Sequence, residues 1–119
     1  MNTSTAAECL AALGHETRLA IYRMLVQAGG EGMNAGVIGT RLALAPATLS
    51  FHLAHLSRVG LVSARPDGRF IYYSTDYAAM NALLGFLTAN CCQGKSCAPQ
   101  ASEAAVPKKR KTLSVPEVQ

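Results

Sequence analysis

Residues Met33 to Tyr73 read MNAGVIGTRLALAPATLSFHLAHLSRVGLVSARPDGRFIYY, and the second half of this stretch decides the fold. Pro46 suits the first turn of a helix, where its missing N–H costs nothing and its φ is already set. From there Leu49, Leu53, Leu56 and Val59 recur at helical spacing and make one apolar face. The spacing predicts a helix over 45–59. Its other face carries Thr48, Ser50, His52 and His55, beside Ala47, Phe51 and Arg58, with no acid among them. An apolar back with an acid-free polar front suits the major groove of DNA, where a carboxylate would repel phosphate.

Outward from that helix, a shorter one over about Ala35 to Leu44 should bury Val37, Ile38 and Leu42. The Ala45-Pro46 break between the two makes a helix-turn-helix. Gly60 ends the longer helix as a C-cap glycine. Leu61 to Arg65 reads as a strand, Pro66-Asp67-Gly68 as a turn and Arg69 to Ser74 as a second strand. That hairpin is a wing, with Arg65 and Arg69 on either side of its turn and placed to reach the phosphate backbone or the minor groove. Upstream, Ala6 to Leu13 reads as a helix with Thr5 as N-cap. A core helix starts at His15-Glu16, carries Leu19, Ile21, Tyr22, Leu25 and Val26, and stops at Gly29-Gly30. Downstream, Asp76 caps a last helix that runs to about Asn90 with Tyr77, Met80, Leu83, Leu84 and Leu87 as its apolar stripe. The predicted architecture is mainly α with a small β-hairpin, a winged helix-turn-helix in the order α-α-α-α-β-β-α.

The run Ala47-Thr48-Leu49-Ser50-Phe51-His52-Leu53, followed by Leu56, Val59-Gly60-Leu61-Val62, Arg65, Gly68-Arg69 and Tyr72, resembles the ArsR/SmtB family of winged-helix, metal-responsive repressors. Leu13-Gly14-His15-Glu16-Thr17-Arg18-Leu19-Ala20-Ile21 is similar to that family's second helix, and the likeness covers about residues 5 to 90. It implies a homodimer formed through the first and last helices, which brings Leu10, Leu13, Met80, Leu83, Leu84 and Leu87 to the interface. It also implies a double-stranded operator as the partner. Departures from the family are informative. Ala54 and Ser57 stand where Lys and Arg are common, which lowers the number of phosphate contacts. Asn34 and Gly36 occupy the positions where some members carry metal-binding cysteines. Asp76 is present for a second known site, but Ala78 replaces its histidine and no histidine follows position 55.

The chain of 119 residues is half apolar and only 15% charged, enough for one domain over 1–90 with a core that dimerisation would enlarge. Net charge is +4, yet four of the eleven bases form the run Lys108 to Lys111; Met1 to Cys97 holds seven bases and five acids, net +2. Charge therefore supports nucleic-acid binding only weakly, and the motif carries that reading. No run is long enough to span a membrane and no signal peptide opens the chain, so a cytoplasmic protein without membrane association is expected. Reducing cytosol makes its four cysteines ligands or redox groups rather than structural disulfides. Cys9, between apolar neighbours, reads as a small buried hydrophobe. Residues 98–119 read as a disordered basic tail.

The second functional element is Cys91-Cys92-Gln93-Gly94-Lys95-Ser96-Cys97. Adjacent helical residues point about 100° apart, so Cys91 and Cys92 converge only where the helix unwinds, and Gly94 lets the chain turn Cys97 back toward them. Three thiolates on a short segment suit a soft ion that accepts three sulfurs, as As(III) and Sb(III) do. Zinc ordinarily needs a fourth ligand, and none lies nearby. Lys95 favours the thiolates. No cofactor is needed for the fold; As(III) or Sb(III) is the expected inducer of operator release. Two alternatives use the same residues: a thiol redox switch, or a two-thiol sensor of methylated arsenic at Cys91 and Cys92. An enzyme is not expected: there is no Cys-x-x-Cys, no cysteine six residues before an arginine and no paired acid with histidine in a plausible pocket.

Overall fold

The computed structural model describes residues 1–94; Cys97 and the tail over 98–119 lie outside the described residues. The order is α1 (Thr3–Leu13), α2 (Glu16–Ala28), β1 (Met33–Asn34), α3 (Ala35–Leu42), α4 (Pro46–Arg58), β2 (Val62–Asp67), β3 (Phe70–Thr75) and α5 (Tyr77–Thr88), then a 3-10 turn at Cys91–Gly94. Five helices and a small antiparallel sheet make the winged helix-turn-helix that the sequence predicts. Met1–Leu87 form one compact unit, and the chain from Thr88 belongs to a second. Among the described residues no single helix is long and apolar enough to cross a membrane.

Local chemistry sets the helix ends. Asn2, not Thr5, caps α1: its Oδ1 accepts the Thr5 N–H at 2.8 Å, so the helix begins three residues earlier than expected. His15 caps α2 by accepting the Thr17 N–H on Nδ1. Asn34 caps α3 by accepting the Gly36 N–H at 2.7 Å. The Asp76 carboxylate caps α5 by accepting the Ala79 N–H at 3.0 Å. Helix α4 closes in a Schellman motif: the Gly60 N–H donates to the Ser57 carbonyl and the Leu61 N–H to the Leu56 carbonyl, each at 3.0 Å. Gly60 takes the required left-handed φ of 83°. Leu56 and Leu61, the apolar pair of that motif, are both fully buried, and the reversal sends the chain straight into β2.

The sheet order is β1-β3-β2. Strand β1 was not expected; its two residues pair Met33 with Tyr73 and Asn34 with Tyr72. The wing also differs from expectation. Strand β2 continues through Pro66 and Asp67, paired with Ile71 and Phe70, and the turn is Gly68-Arg69. Pro66 is tolerated because β2 is an edge strand, with no partner for the N–H that proline lacks.

The core joins Cys9 and Ala12 of α1, Ile21 and Leu25 of α2, Ile38 of α3, Leu53 and Leu56 of α4, and Leu61. Cys9 is the buried hydrophobe expected of it, and burial pushes its thiol above the ordinary range. Leu19 and Val37 were expected inside and are exposed. On α2 the buried set is Arg18, Ile21, Tyr22 and Leu25, a helical stripe whose first member is a cation rather than Leu19.

Gly32 holds φ at 78°, and a Cβ there would fall on the Tyr73 carbonyl oxygen of β3. Gly60 has open space around it and a positive φ alone. Gly60→Ala should therefore cost only the left-handed conformation, about 1–2 kcal/mol. Gly32→Ala adds a backbone displacement and should cost more, about 3 kcal/mol or above. Urea denaturation of the two variants should rank them in that order; equal losses would contradict the close approach of the loop to β3.

Candidate nucleic-acid interface and thiol segment

Helix α4 buries Leu49, His52, Leu53 and Leu56, spaced i, i+3, i+4 and i+7. That fixes what it turns outward: Ala47, Phe51, Ala54 and Arg58 are exposed opposite the core, and Phe51 keeps 65% of its surface in solvent. Thr48 and Ser50 are also exposed, but on opposite flanks, since two helical steps separate side chains by about 160°. Ser50 borders a groove of about 580 Å³ shared with Gly36, Gly39, Thr40 and Leu44 of the α3 side. Thr40 and Arg41 stand exposed on α3 beside it, a hydroxyl and a cation that the sequence reading passed over. Their signal was present: they sit in the last turn of the first helix of a helix-turn-helix, where a cation is compatible with the helix dipole.

Two of the residues expected on the polar front are placed elsewhere. His52 is only 6% exposed. Its Nδ1 lies 3.3 Å from Nη1 of Arg18, and its ring packs 4.9 Å from that of His15. Arg18 is itself 9% exposed, and its Nε donates to the Ala12 carbonyl at the end of α1 at 2.7 Å. Because a guanidinium can only donate, Nδ1 of His52 must accept, which fixes the neutral ring with its proton on Nε2. His55 is half-buried and lines a hollow with Glu8, Ala11, Arg58 and Val59, turned toward α1. Both histidines fall on the α1 and α2 side of α4 by helical phase, which the two-faced reading of this helix blurred.

On the wing, Arg65 is exposed but its guanidinium is engaged by the protein itself. Its Nη2 donates to the Glu31 carbonyl at 3.2 Å, its Nη1 is 3.6 Å from the Asp67 carboxylate, and its guanidinium lies 5.0 Å over the Tyr72 ring. Arg69 occupies the turn itself and is exposed, next to an exposed Phe70. On the helices expected to dimerise, Leu10, Leu84 and Leu87 are exposed, Leu87 at 52%. Leu13 and Met80 are partly buried against the core. Leu83, expected at the interface, is 5% exposed and packs in the chain's own core. It is the inward member of the α5 stripe because that helix has a single buried position.

Beyond α5 the backbone leaves helical geometry. Asn90, Cys92 and Gln93 all take left-handed φ, between 55° and 58°. Cys91 and Cys92 therefore do not sit on a regular helix, as two converging thiols would require. Cys91 is half-buried; Cys92 is exposed and disulfide-bonded. Among the described residues no three His, Cys, Asp or Glu side chains come together as a metal site. Asn34 and Gly36 form the cap of α3, and Ala78 lies exposed beside the capping Asp76.

A sequence profile described as a helix-turn-helix domain matches residues 13–64. The transcriptional activator HlyU of Vibrio cholerae is 33% identical over 92 residues, 77% of this chain and 82% of that protein. A structure of HlyU from that organism superposes with a TM-score of 0.62, covering 77% and 97% of the two chains at 33% identity, and a structure of reduced HlyU with 0.60. An ArsR-like transcriptional regulator from Rhodococcus sp. RHA1 gives 0.65 at 29% identity, covering 76% and 83%. A homodimeric winged helix-turn-helix DNA-binding domain from Mycobacterium bovis gives 0.58 at 28% identity, covering 80% and 88%. These are regulators and not enzymes, in keeping with the sequence pattern.

The histidine cluster makes stability pH-dependent. Burial, then His15, Arg18 and His55, holds His52 below the ordinary imidazole value; burial, then Arg18, Arg58 and His15, does the same to His55. A lowered folded value means that the unfolded chain binds more protons, so the stabilisation is complete above about pH 6.5 and is lost as pH falls below it. Thermal unfolding should show a lower Tm at pH 5.5 than at pH 7.5, with a smaller drop in His52→Asn; an unchanged Tm would contradict the buried neutral ring.

Proposed function

The chain belongs to the ArsR/SmtB family of winged helix-turn-helix transcriptional regulators, and from that we propose a cytoplasmic repressor that holds a pseudo-palindromic operator as a homodimer and releases it when trivalent arsenic or antimony binds Cys91, Cys92 and Cys97. The observation that carries the inducer reading is the thiol segment: three cysteines in seven residues, beginning where the last helix has unwound into left-handed backbone. Unwinding removes the helical divergence of the adjacent pair, and pyramidal As(III) needs three sulfurs and no more. The family positions for other metals are taken by a capping Asn34–Gly36 pair and by Ala78, which leaves the cysteines as the chain's only soft ligand set of this size.

For the DNA contact, Ala47, Thr48, Ser50, Phe51 and Arg58 are assigned to the major groove, Thr40 and Arg41 to the backbone beside it, and Arg69 to the wing contact. Exposure of each supports the assignment. Dimerisation draws support from the exposed Leu10, Leu84 and Leu87 and from the homodimeric neighbour. Two recognition helices meet successive major grooves only when held about 34–36 Å apart, a spacing that one protomer cannot set.

A second reading is favoured by the disulfide at Cys92. A peroxide could take two electrons and two protons from a pair of thiols, leaving an S–S bond and water, and that oxidation would switch DNA binding instead. The solved reduced form of HlyU is in keeping with this alternative.

Two measurements test these readings on the full-length protein, with a duplex that it enriches from a random-sequence pool. In the first, arsenite added under strong reductant should release the duplex. Cys91→Ser, Cys92→Ser and Cys97→Ser should each keep affinity and lose release, while Cys9→Ser behaves as the unmodified protein. Release by peroxide but not by arsenite in reductant would replace the metalloid reading with the redox one. In the second, Arg69→Ala should weaken all sequences and reduce the salt dependence of binding by about 1 in log–log slope for each wing. Arg65→Ala should leave that slope alone, because its guanidinium is already engaged on the protein; a slope change as large as that of Arg69→Ala would make Arg65 a phosphate contact.

A further inference from the structure

Arg18 is a buried guanidinium with no carboxylate partner among the described residues. Isolated buried charge is costly unless hydrogen-bonded. Here its two partners come from different helices: the Ala12 carbonyl near the C-terminus of α1, at 2.7 Å, and Nδ1 of His52 in α4, at 3.3 Å. The first partner is one of the orphan carbonyls at the negative end of a helix, which offsets part of the charge. The second lies on the recognition helix, and its ring packs edge-on at 5.5 Å against Phe51, the most exposed aromatic of the DNA-facing side. A continuous path thus runs from the end of α1, through α2, to the outward face of α4.

We propose that Arg18 and His52 form a positioning bracket that sets the recognition helix against α1, and that selective operator binding depends on His52 remaining the neutral acceptor within it. The inference rests on the operator-binding function proposed above. A protonated ring carries hydrogen on both nitrogens, so Nδ1 can no longer accept from Arg18, and two cations would then abut in a buried place. The surrounding groups give little relief. His15 and Arg18 face the ring from α2, His55 shares α4 with it, and Arg58 stands beyond His55; Glu8 of α1 lines the hollow of His55 and Arg58. Loss of the bracket shifts α4 on α1. Added positive charge meanwhile strengthens attraction to any DNA. Selective and non-selective binding therefore move in opposite directions as pH falls, which a purely electrostatic effect cannot do.

The experiment compares affinity for the pool-enriched duplex with affinity for a random duplex of the same length, over the pH range in which circular dichroism shows the protein folded. Between about pH 7.5 and pH 6, on either side of the ordinary imidazole value, the ratio should fall about tenfold, within the range usual for coupled sites. His52→Asn places an amide oxygen where Nδ1 stood and cannot be protonated, so it should hold the ratio steady and keep affinity at the higher pH. His15→Asn, which preserves the α2 cap, and His55→Gln should retain the fall. A flat ratio in the unmodified protein overturns the bracket, as does a fall in His52→Asn equal to the unmodified one. If His52→Asn does not fold, a fall abolished by His15→Asn or His55→Gln overturns it just as well. Absence of any preferred duplex at the higher pH instead defeats the operator reading itself.

Discussion

Leu49, Leu53 and Leu56 of α4 are inside, and most of what this protein presents to a partner follows from that. Full burial of a leucine side chain contributes about 1.5–3 kcal/mol, and the whole fold of a domain this size is stable by only about 5–15 kcal/mol. Turning α4 by a single residue would rotate that stripe by about 100° and forfeit much of the total. The outward set is thus fixed by the core, before any DNA is met. The Schellman turn at Gly60 extends the same constraint: Leu61 must pack where Leu56 ends, so the wing leaves the helix in a direction set by an apolar contact.

This is also why so much of the fold was legible in the sequence. The leucine period and Pro46 located α4, Asp76 located the start of α5, and apolar neighbours placed Cys9 in the core. What escaped depends on pairings that no local pattern encodes. Strand β1 exists only because Tyr72 and Tyr73 arrive beside Met33 and Asn34 from about forty residues away in sequence. Pro66 argued for a turn, and only the position of β2 at the sheet edge makes it a strand residue. His52 was misplaced although the signal was there: positions 49, 52, 53 and 56 complete the i, i+3, i+4, i+7 pattern. A titratable residue within an apolar stripe should direct attention to what faces it, here a buried arginine.

Burial and folding-back also change the electrostatic reading. The stretch through Cys97 carries seven cations, but Arg18 is spent on α1 and His52, and Arg65 on Glu31, Asp67 and Tyr72. That leaves Arg41, Arg58 and Arg69 as the exposed arginines of the helix-turn-helix and wing with no such contact among the described residues, Arg65 being exposed but engaged. Three such charges give one protomer little non-specific affinity, since each phosphate contact contributes separately. Pairing two protomers on one duplex doubles the number without any new residue. A weakly charged fold thus gains more from dimerisation than a strongly basic one, and more of its discrimination must come from shape and from the placement of α4.

The same economy bears on where an inducer can act. Helix α4 buries four side chains, whereas α5 buries only Leu83. Ala79, Met80 and Phe86 pack against the core beside Leu83 but are only partly buried, so α5 is held within its own protomer by less full burial than α4. Coupling free energies between sites are typically about 1–3 kcal/mol, so the inducer proposed for the thiol segment would have less apolar burial to work against at α5 than at α4. The same ligand acting directly on α4 would have to overcome several buried leucines at once. Because coupling is reciprocal, the proposed inducer would bind the DNA-bound protein more weakly by the same factor by which it weakens DNA binding. On the proposed function, an inducer acting beyond α5 would leave the leucines that orient α4 in place.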